Sequence, residues 1–240
     1  MIFIARLSNS SVTSYEITAV IDSALCVGAG GSSGSLADKP IVRNSEKNLL
    51  IPASQIKGRL RHECEKIARG LRWAVCDSPN PQTMCPKRAG LTENFDRPEY
   101  HVPGYEGKHC LICQIFGNPV LPSRILFDDL ICTEDPENLA EVMRPGVTIN
   151  RCRRTAEEQK LYFLETSPAN AQLKFTGHIH LPSQPNYAGA LILAGMRHIH
   201  ALGGSKSAGL GWLHWEFPNL LLEQAAEQAA WDFLAKGDGE

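Results

Sequence analysis

Apolar and polar positions alternate in two stretches of the chain, which is typical of half-buried strands. The first covers residues 15–27, which become apolar throughout towards their end, and the second covers residues 173–181. Between them, apolar residues spaced four, four and three positions apart predict a helix over residues 55–69. Ser54 is its expected N-cap and Gly70 its expected end. Its predicted buried face consists of Ile56, Leu60, Cys64 and Ile67.

The remaining apolar segments predict further strands and helices without a regular alternation of the two. Shorter strands are expected over 41–42, 49–51, 124–132 and 212–217, and a long hairpin over 146–150 and 161–165. Helices are expected over 188–202 and, after an N-cap at Asn219, over 220–235. The Gly- and Ser-rich residues 28–35 indicate a loop. This mixed order of elements predicts an α+β fold.

The composition is that of a folded, globular protein. Of 240 residues, 43% are hydrophobic and 21% are charged, which excludes wholesale disorder. No stretch approaches the roughly 18 apolar residues of a membrane helix. The first ten residues also lack the hydrophobic core of a signal peptide. We therefore expect a cytoplasmic protein without a membrane partner.

Charge is unevenly distributed around a formal net charge of −2. That small value excludes a protein that coats nucleic acid by bulk charge. Residues 56–72 contain six basic and two acidic residues, and residues 143–160 contain five basic and two acidic ones. Residues 216–240 contain one basic and six acidic residues. Two basic patches on a nearly neutral chain suit a groove that holds an acidic ligand.

Four of the eight cysteines fall in one segment that is rich in Pro, Gly and Asn. In a reducing cytoplasm, clustered cysteines indicate a metal site, and a CxxC spacing lets two sulfurs bind one ion. Residues 73–109 show no periodicity, so we interpret 73–113 as an insertion that structural zinc orders. His109 and His101 are alternative ligands. The predicted zinc ligands are Cys76, Cys85, Cys110 and Cys113.

Two other segments suit an anionic ligand. Lys57, Arg59 and Arg61 follow the start of the first predicted helix, where unpaired backbone N–H groups and the helix dipole favour a phosphate. Residues 202–211 surround Lys206 with glycines, and such a segment can form an anion-binding nest. Its order of helix, loop and strand is the reverse of a P-loop, which excludes that motif. The candidate glycines are Gly203, Gly204, Gly209 and Gly211.

Five motifs follow one another in the order of a known family. They are DKPIVRN (38–44), IPASQIKGRLR (51–61), CLICQIFG with RILFDD (110–117 and 124–129), GVTINR (146–151) and LGGSKSAGLG (202–211). In this order they resemble the RAMP superfamily, and most of all the repeated backbone subunit of type III CRISPR effector complexes. The resemblance covers residues 15–217.

The resemblance implies a single domain over 1–240 with a modified ferredoxin-like, RNA-recognition-type core. A zinc-clipped insertion (73–113), a β-hairpin thumb (143–165) and a C-terminal helix (220–235) would be added to that core. The implied function is to bind guide RNA along a filament of subunits and to pair it with target RNA. The implied partners are guide RNA, target RNA and other CRISPR effector subunits, with copies of the same chain among the candidates.

The resemblance also implies roles for individual residues. Asp38 matches the aspartate that family members need to cut target RNA, a reaction for which we expect a divalent cation such as Mg²⁺. From the residues alone, an aspartate beside a Gly- and Ser-rich loop favours a turn, and only the resemblance favours the catalytic role. The sequence departs from the family at Cys26, where histidine is frequent, and at Asn150, where aspartate is usual. The expected RNA-binding residues are Lys57, Arg59, Arg61, Arg151, Arg153, Arg154, Gly203, Gly204, Lys206, Gly209 and Gly211.

Other functions stay open at this point. A guide-RNA-processing endoribonuclease of the same superfamily would use general acid–base catalysis, for which the candidates are His62, His178, His198 and His200. A purely structural backbone subunit would bind guide RNA without cutting. A zinc-dependent hydrolase is disfavoured, because four protein ligands leave no open position for water.

Overall fold

The computed structural model describes residues 12–28, 37–87, 95–218 and 227–237. The predicted loop beyond Gly28, the predicted N-cap Asn219 and the start of the last predicted helix lie outside these ranges. In chain order the elements are β1 (Val12–Ile21), β2 (Leu50–Ile51), α1 (Ala53–Gly70), α2 (Leu111–Phe116), β3 (Leu126–Phe127), β4 (Leu130–Cys132), β5 (Val142–Asn150), β6 (Thr155–Thr166), β7 (Leu173–Pro182), α3 (Ala188–Arg197), β8 (Leu213–Glu216) and α4 (Gln228–Ala235).

Six of the strands form one antiparallel sheet in the order β2–β4–β7–β1–β8, with β3 paired to β7. At its centre β1 and β7 pair along their whole length, with Ile17 opposite Gly177 and Ala19 opposite Phe175. Along the chain, β1, α1, β4, β7, α3 and β8 form a β-α-β-β-α-β arrangement. This topology confirms the α+β class and is consistent with the expected ferredoxin-like core.

The predicted hairpin is present as a separate two-stranded sheet. β5 and β6 pair from Val142 opposite Thr166 to Asn150 opposite Thr155. Both strands are longer than predicted, and their pairing has a register shift between Val147 and Ile149.

Helix α1 has a different start from the one that the sequence predicts. It begins at Ala53 after Pro52, and Ser54 lies inside the first turn. The Ala53 N–H donates instead to the Oδ1 atom of Asp129, at 2.7 Å. A carboxylate from a distant segment therefore caps this helix, which local sequence rules cannot anticipate.

The buried face of α1 largely matches its predicted stripe. Ile56, Leu60 and Cys64 are buried, whereas Ile67 is half-buried and Ala68 takes its place. Gly195 of α3 faces this stripe, and a Cβ there would come within 2.7 Å of Leu60 and Cys64. The small residue thus lets α1 and α3 approach closely.

The first predicted strand ends earlier than its apolar pattern suggests. β1 stops at Ile21, and the buried residues 24–27 form an irregular segment instead. Their backbone groups are hydrogen-bonded on two sides: the Gly211 N–H donates to Ala24 O and the Val42 N–H donates to Val27 O. Apolar character here reflects burial between other segments, not pairing in the sheet.

Three other predicted elements differ in extent. The strand expected over 124–132 is split into β3 and β4, and the final strand is shortened to Leu213–Glu216. The helix expected over 188–202 ends at Arg197, because the chain turns there to form a bridge between Ala201 and Trp212. None of the helices that the structure describes is long and apolar enough to cross a membrane.

Candidate metal centre and RNA-binding surfaces

The four predicted zinc ligands meet at one point inside the protein. The sulfur atoms of the four cysteines lie within 4.8 Å of one another, and all four residues are buried. The Sγ of Cys76 is 3.7 Å from that of Cys110 and 3.5 Å from that of Cys113. Four sulfurs at about 2.3 Å from a tetrahedral zinc ion are about 3.8 Å apart, so the spacing fits. The set is Cys76, Cys85, Cys110 and Cys113.

The local backbone favours thiolates at this cluster. Cys110 is the N-cap of α2, where its Sγ accepts a hydrogen bond from the Cys113 N–H. The Cys110 N–H in turn donates to the Sγ of Cys85, at 3.3 Å. The contact with the Cys110 thiol lowers the pKa of Cys76 and also that of Cys113, whereas the contact with Cys113 raises the pKa of Cys110 itself. Thiolates are the form that binds zinc, so the arrangement suits a metal such as zinc.

The two alternative histidine ligands lie apart from the cluster. The Nδ1 atom of His109 is 2.8 Å from Asn118 Nδ2, and its Nε2 atom is 3.2 Å from Glu106 O. His101 is exposed. Within the described ranges, only the four cysteines bring three or more His, Cys, Asp or Glu ligand atoms close enough to share an ion.

The insertion around the cluster has more apolar packing than its sequence predicts. Trp73, Phe95 and Tyr100 are buried, and the Trp73 and Tyr100 rings pack edge to face with centroids 6.1 Å apart. The guanidinium of Arg97 lies 4.3 Å above the Trp73 ring. Aromatic side chains therefore order this insertion together with the cysteines, which corrects the expectation of a segment without a core.

The basic residues at the start of α1 already have partners in the protein. Lys57 donates to Ser123 Oγ at 2.9 Å, and burial together with the nearby Arg61 lowers the pKa of Lys57. Arg59 pairs with the buried Glu63 at 2.9 Å. Asp129 occupies the helix N-terminus, where the sequence predicts a phosphate. That prediction is wrong for the first N–H group, that of Ala53, because the Asp129 carboxylate already accepts its hydrogen bond.

Arg61 lies against the cysteine cluster, and all three of its guanidinium nitrogens have contacts there. Its Nε is 3.1 Å from Glu65 Oε1, its Nη1 donates to Gly117 O at 2.9 Å, and its Nη2 is 3.6 Å from Cys113 Sγ. The side chain is 17% exposed. These contacts leave little of the guanidinium for a phosphate.

The glycine-rich segment 202–211 is folded tightly against residues 24–26. Gly203 and Gly211 have φ of +86° and +73°, and a Cβ at either would clash with a backbone carbonyl. The Gly204 N–H donates to Cys26 O at 2.7 Å, which removes it from an anion-binding nest. Gly209 also has a positive φ but faces open space, and Lys206 beside it is exposed, with its Nζ donating to Gly203 O at 2.9 Å. The outer part of the segment is thus available to a ligand.

Asp38 belongs to a segment that pairs with the base of the hairpin. Its Oδ2 accepts the Phe163 N–H at 2.7 Å, and its own N–H donates to Phe163 O at 3.0 Å. Lys39 forms a parallel bridge with Leu164. Glu165, which is buried, accepts the Ile41 N–H at 3.1 Å and pairs with Arg43 at 2.9 Å. Asp38 is exposed and held in place by these bonds.

The tip of the hairpin presents three exposed cations. Arg151, Arg153 and Arg154 lie in the turn between β5 and β6, and their guanidiniums have no hydrogen-bond or ion-pair partner within the described ranges. The Oδ1 of Asn150 accepts the N–H groups of Cys152 and Arg153, at 3.1 and 3.0 Å. The asparagine that departs from the family pattern thus shapes this turn.

Residues 24–27 bring three of the predicted RNA-binding parts together. The glycine-rich segment binds them through Gly204 and Gly211, and the residues after Asp38 bind them through Val42. Ser167 directly follows the end of the hairpin, and its Oγ accepts a hydrogen bond from the Leu25 N–H at 2.9 Å. The structure therefore groups the glycine-rich segment, the Asp38 segment and the hairpin base, with Arg61 instead at the cysteine cluster.

One polar cluster combines His178, a candidate residue of the alternative endoribonuclease, with acidic residues that the sequence does not predict as site residues. Asp128 lies 3.4 Å from His178 and 3.1 Å from His180, next to a cleft of about 640 Å³. Glu16 and Asp129 also line this cleft. Its carboxylates disfavour phosphate, and the Asp-Asp doublet at 128–129 was the available sequence signal.

A family model described as the RAMP superfamily matches residues 18–214. No curated protein matches the chain. The match spans β1 to β8 and includes all five motifs, the cysteine cluster and the hairpin. Membership implies a CRISPR-associated RNA-binding protein. The chain therefore belongs to the RAMP superfamily.

Proposed function

We propose that this protein is a guide-RNA-binding backbone subunit of a type III CRISPR interference complex, in which it pairs guide with target RNA. The observation that carries this proposal is the grouping around residues 24–27 of the glycine-rich segment, the Asp38 segment and the hairpin base. Guide RNA, target RNA and further effector subunits, copies of this chain among them, are the proposed partners.

Phosphate contacts in this proposal come from the exposed cations. Arg151, Arg153 and Arg154 at the hairpin tip are exposed, and so is Lys206, whose Nζ donates to Gly203 O. Such contacts read the RNA backbone, so they act independently of sequence and weaken with salt. Lys57 and Arg59 contribute less, because Ser123 and Glu63 already bind them.

Cleavage of the target is assigned to Asp38. Its Oδ2 is held by the Phe163 N–H, and its Oδ1 has no hydrogen-bond partner within the described ranges. In the proposed reaction, Oδ1 takes the proton of a target 2′-hydroxyl, whose oxygen then attacks the adjacent phosphate and releases the 5′-oxygen. A divalent cation such as Mg²⁺, when bound near Asp38, would neutralise charge on that phosphate.

The hairpin supplies the geometry for this step. In-line attack requires one target nucleotide to be unstacked beside Asp38. The hairpin base binds the Asp38 segment directly, so a target nucleotide that is unstacked along the base of the hairpin would lie next to the carboxylate, while the tip would contact the duplex farther away. We therefore assign the thumb role to β5 and β6.

The metal centre has a structural role in this proposal. Zinc bound by the four cysteines would join residues 76, 85 and 110–113, and so fix the insertion to α2. Four protein ligands close the coordination shell, which disfavours catalysis by this ion.

The processing endoribonuclease is the weaker candidate. His178 contacts Asp128 beside the acidic cleft, whereas His198 follows α3 and lies 3.8 Å from Glu63 of α1. His178 and His180 do lie together at Asp128, but the carboxylates that line this cleft disfavour an RNA phosphate there.

Sequencing of RNA that co-purifies with the full-length protein tests the proposed class. We expect spacer-plus-repeat fragments of defined length. Random RNA, or none, would contradict the guide-binding role. A protein purified from cells that lack the repeat locus is the control and should carry no such fragments.

A further inference from the structure

Arg61 connects α1 to both sides of the cysteine cluster. On one side, its Nη2 lies 3.6 Å from Cys113 Sγ and its Nη1 donates to Gly117 O. On the other side, its Nε binds Glu65, whose Oε1 also accepts the Ser78 hydroxyl at 2.7 Å. Ser78 follows Cys76 by two positions. One guanidinium thus supports the segments that carry two of the four sulfurs.

The position of Gly117 makes this support rigid. Gly117 ends α2 with φ +82°, and a Cβ there would come within 2.6 Å of Ser123 N. Its carbonyl is therefore fixed relative to α2, which carries Cys113. Glu65 is equally fixed, because it is buried and accepts bonds from both Arg61 and Ser78.

The charge of the cluster requires such a partner. Four thiolates around one divalent ion carry excess negative charge in a buried site, where an uncompensated charge is costly. A guanidinium remains protonated when buried and donates to sulfur and oxygen in one plane. Outer hydrogen-bond partners of this kind orient metal ligands and tune metal affinity.

We propose that Arg61 is the charge-compensating and positioning residue of the metal centre, and not a ligand of guide-RNA phosphate. The proposal rests on the proposed binding of zinc by the four cysteines. It moves Arg61 from the predicted RNA-binding residues to the surroundings of the metal centre. Arg59, two positions earlier, is the comparison, because it pairs with Glu63 instead.

Zinc release from the full-length, zinc-loaded protein tests the proposal. We expect Arg61→Ala to release zinc to a chromophoric chelator about 10- to 100-fold faster than the wild-type protein. Arg61→Lys should fall between the two, since it keeps the charge but loses the planar set of donors. Arg59→Ala should release zinc at the wild-type rate.

Two further measurements separate this role from general loss of structure. In cobalt-substituted protein, the sulfur-to-metal charge-transfer bands should shift in Arg61→Ala and stay unchanged in Arg59→Ala. The salt dependence of RNA binding should stay the same in Arg61→Ala, which removes the cation; Arg61→Lys would keep a cation for the RNA in either case. If Arg61→Ala does not fold, Arg61→Lys alone decides the outcome through its zinc release and its cobalt spectrum.

Two results would contradict the proposed role of Arg61 at the metal centre. Wild-type rates of zinc release in both Arg61 variants would contradict it. Unchanged zinc release in Arg61→Ala, together with a salt slope of RNA binding that falls by about 0.7, would also contradict it, because about 0.7 is the value for one lost single-strand phosphate contact. A wild-type protein that holds no zinc would instead contradict the metal centre itself and, with it, this role of Arg61.

Discussion

Identical residue types have different roles in this protein because their surroundings differ. Arg61 is 17% exposed and bound on all sides, whereas Arg153 is exposed at the tip of a hairpin. Asp129 caps α1, whereas Asp38 keeps one carboxylate oxygen free of partners within the described ranges. The residue type thus indicates which charge a side chain can carry, and the contacts of that side chain in the fold decide which role the charge has.

Replacing Asp38 with Asn tests the catalytic role with little disturbance. The amide oxygen of Asn can still accept the Phe163 N–H, but the variant lacks the carboxylate that takes the proton. We expect the assembled complex to bind guide and target RNA as before. Cleavage should slow at least about 100-fold, the lower end for general acid–base catalysis. Single-turnover cleavage of a labelled target with Mg²⁺ measures this rate.

Asp128→Asn is the matched control, because it removes an exposed carboxylate beside the acidic cleft. It should cut at the wild-type rate. Normal cleavage by Asp38→Asn at the same phosphate would end the catalytic assignment and leave the RNA-binding one standing.

Replacing Asp129 with Ala tests the cap of α1. The variant leaves the Ala53 N–H without its acceptor, so the free energy of unfolding should fall by about 0.5–2 kcal/mol. Urea unfolding followed by circular dichroism measures the change. Asp135→Ala, which removes the same kind of bond from a short 3₁₀ helix, should cost less. An unchanged midpoint for Asp129→Ala would show that the cap contributes nothing.

At the scale of elements, segments that are far apart in the chain act together. The hairpin base, the Asp38 segment and the glycine-rich segment are all hydrogen-bonded to residues 24–27, which the sequence predicts as the end of a strand. The hairpin itself was predictable, because its alternation and its basic turn are local. Its pairing with the Asp38 segment was not, since 125 positions separate Asp38 from Phe163.

Removing the two cations Arg153 and Arg154 tests the hairpin tip. The double Ala variant should flatten the salt dependence of RNA binding by about 1.4 units, at roughly 0.7 for each single-strand phosphate contact. Target cleavage should slow, and the position of the cut should become less uniform. Filter binding at several salt concentrations and sequencing of the cleaved ends measure these effects.

A double variant of Lys66 and Arg69 to Ala is the control for the hairpin tip, because both cations already pair with acidic residues of the protein. Its salt slope should match that of the wild-type protein. An equal loss in both double variants would show that the tip has no special part in binding RNA.

At the scale of the whole molecule, the cysteine cluster brings together segments that share no strand or helix. The cysteines come from residues 76, 85 and 110–113, and the insertion between them also reaches the C-terminal helix. Trp73 Nε1 donates to Leu234 O of α4 at 2.8 Å, and the Trp73 and Phe233 rings stack with centroids 5.2 Å apart. Loss of the metal should therefore loosen a large part of the molecule.

Replacing Cys110 and Cys113 with Ser tests this prediction. Wild-type protein should contain about one zinc ion per chain, and the double variant should contain none. Proteases should then cut the insertion, residues 73–109, more rapidly. Metal analysis and limited proteolysis measure the two effects.

Cys152→Ser is the control for zinc binding, because Cys152 is the exposed cysteine of the hairpin turn. It should retain zinc. Untreated protein without zinc would contradict the metal centre.

The sequence by itself determined the features that depend on near neighbours. Periodicity predicted β1, α1, β7 and the hairpin, and the CxxC spacing together with two further cysteines predicted the cysteine cluster, which could hold a metal. The order of motifs was enough to indicate the family. Periodicity, turn chemistry and motif spacing are all properties of short segments, so a linear sequence carries them.

Only the tertiary structure decided which charged groups meet. The cap of α1 joins residues that are 76 positions apart, and the contact of Arg61 with Cys113 spans 52 positions. The sequence therefore predicted a phosphate site in the basic patch on α1, although in the fold Arg61 contacts the cysteine cluster and Asp129 accepts a hydrogen bond at the helix N-terminus. Burial and distance between remote segments set these partners, and no local pattern encodes them.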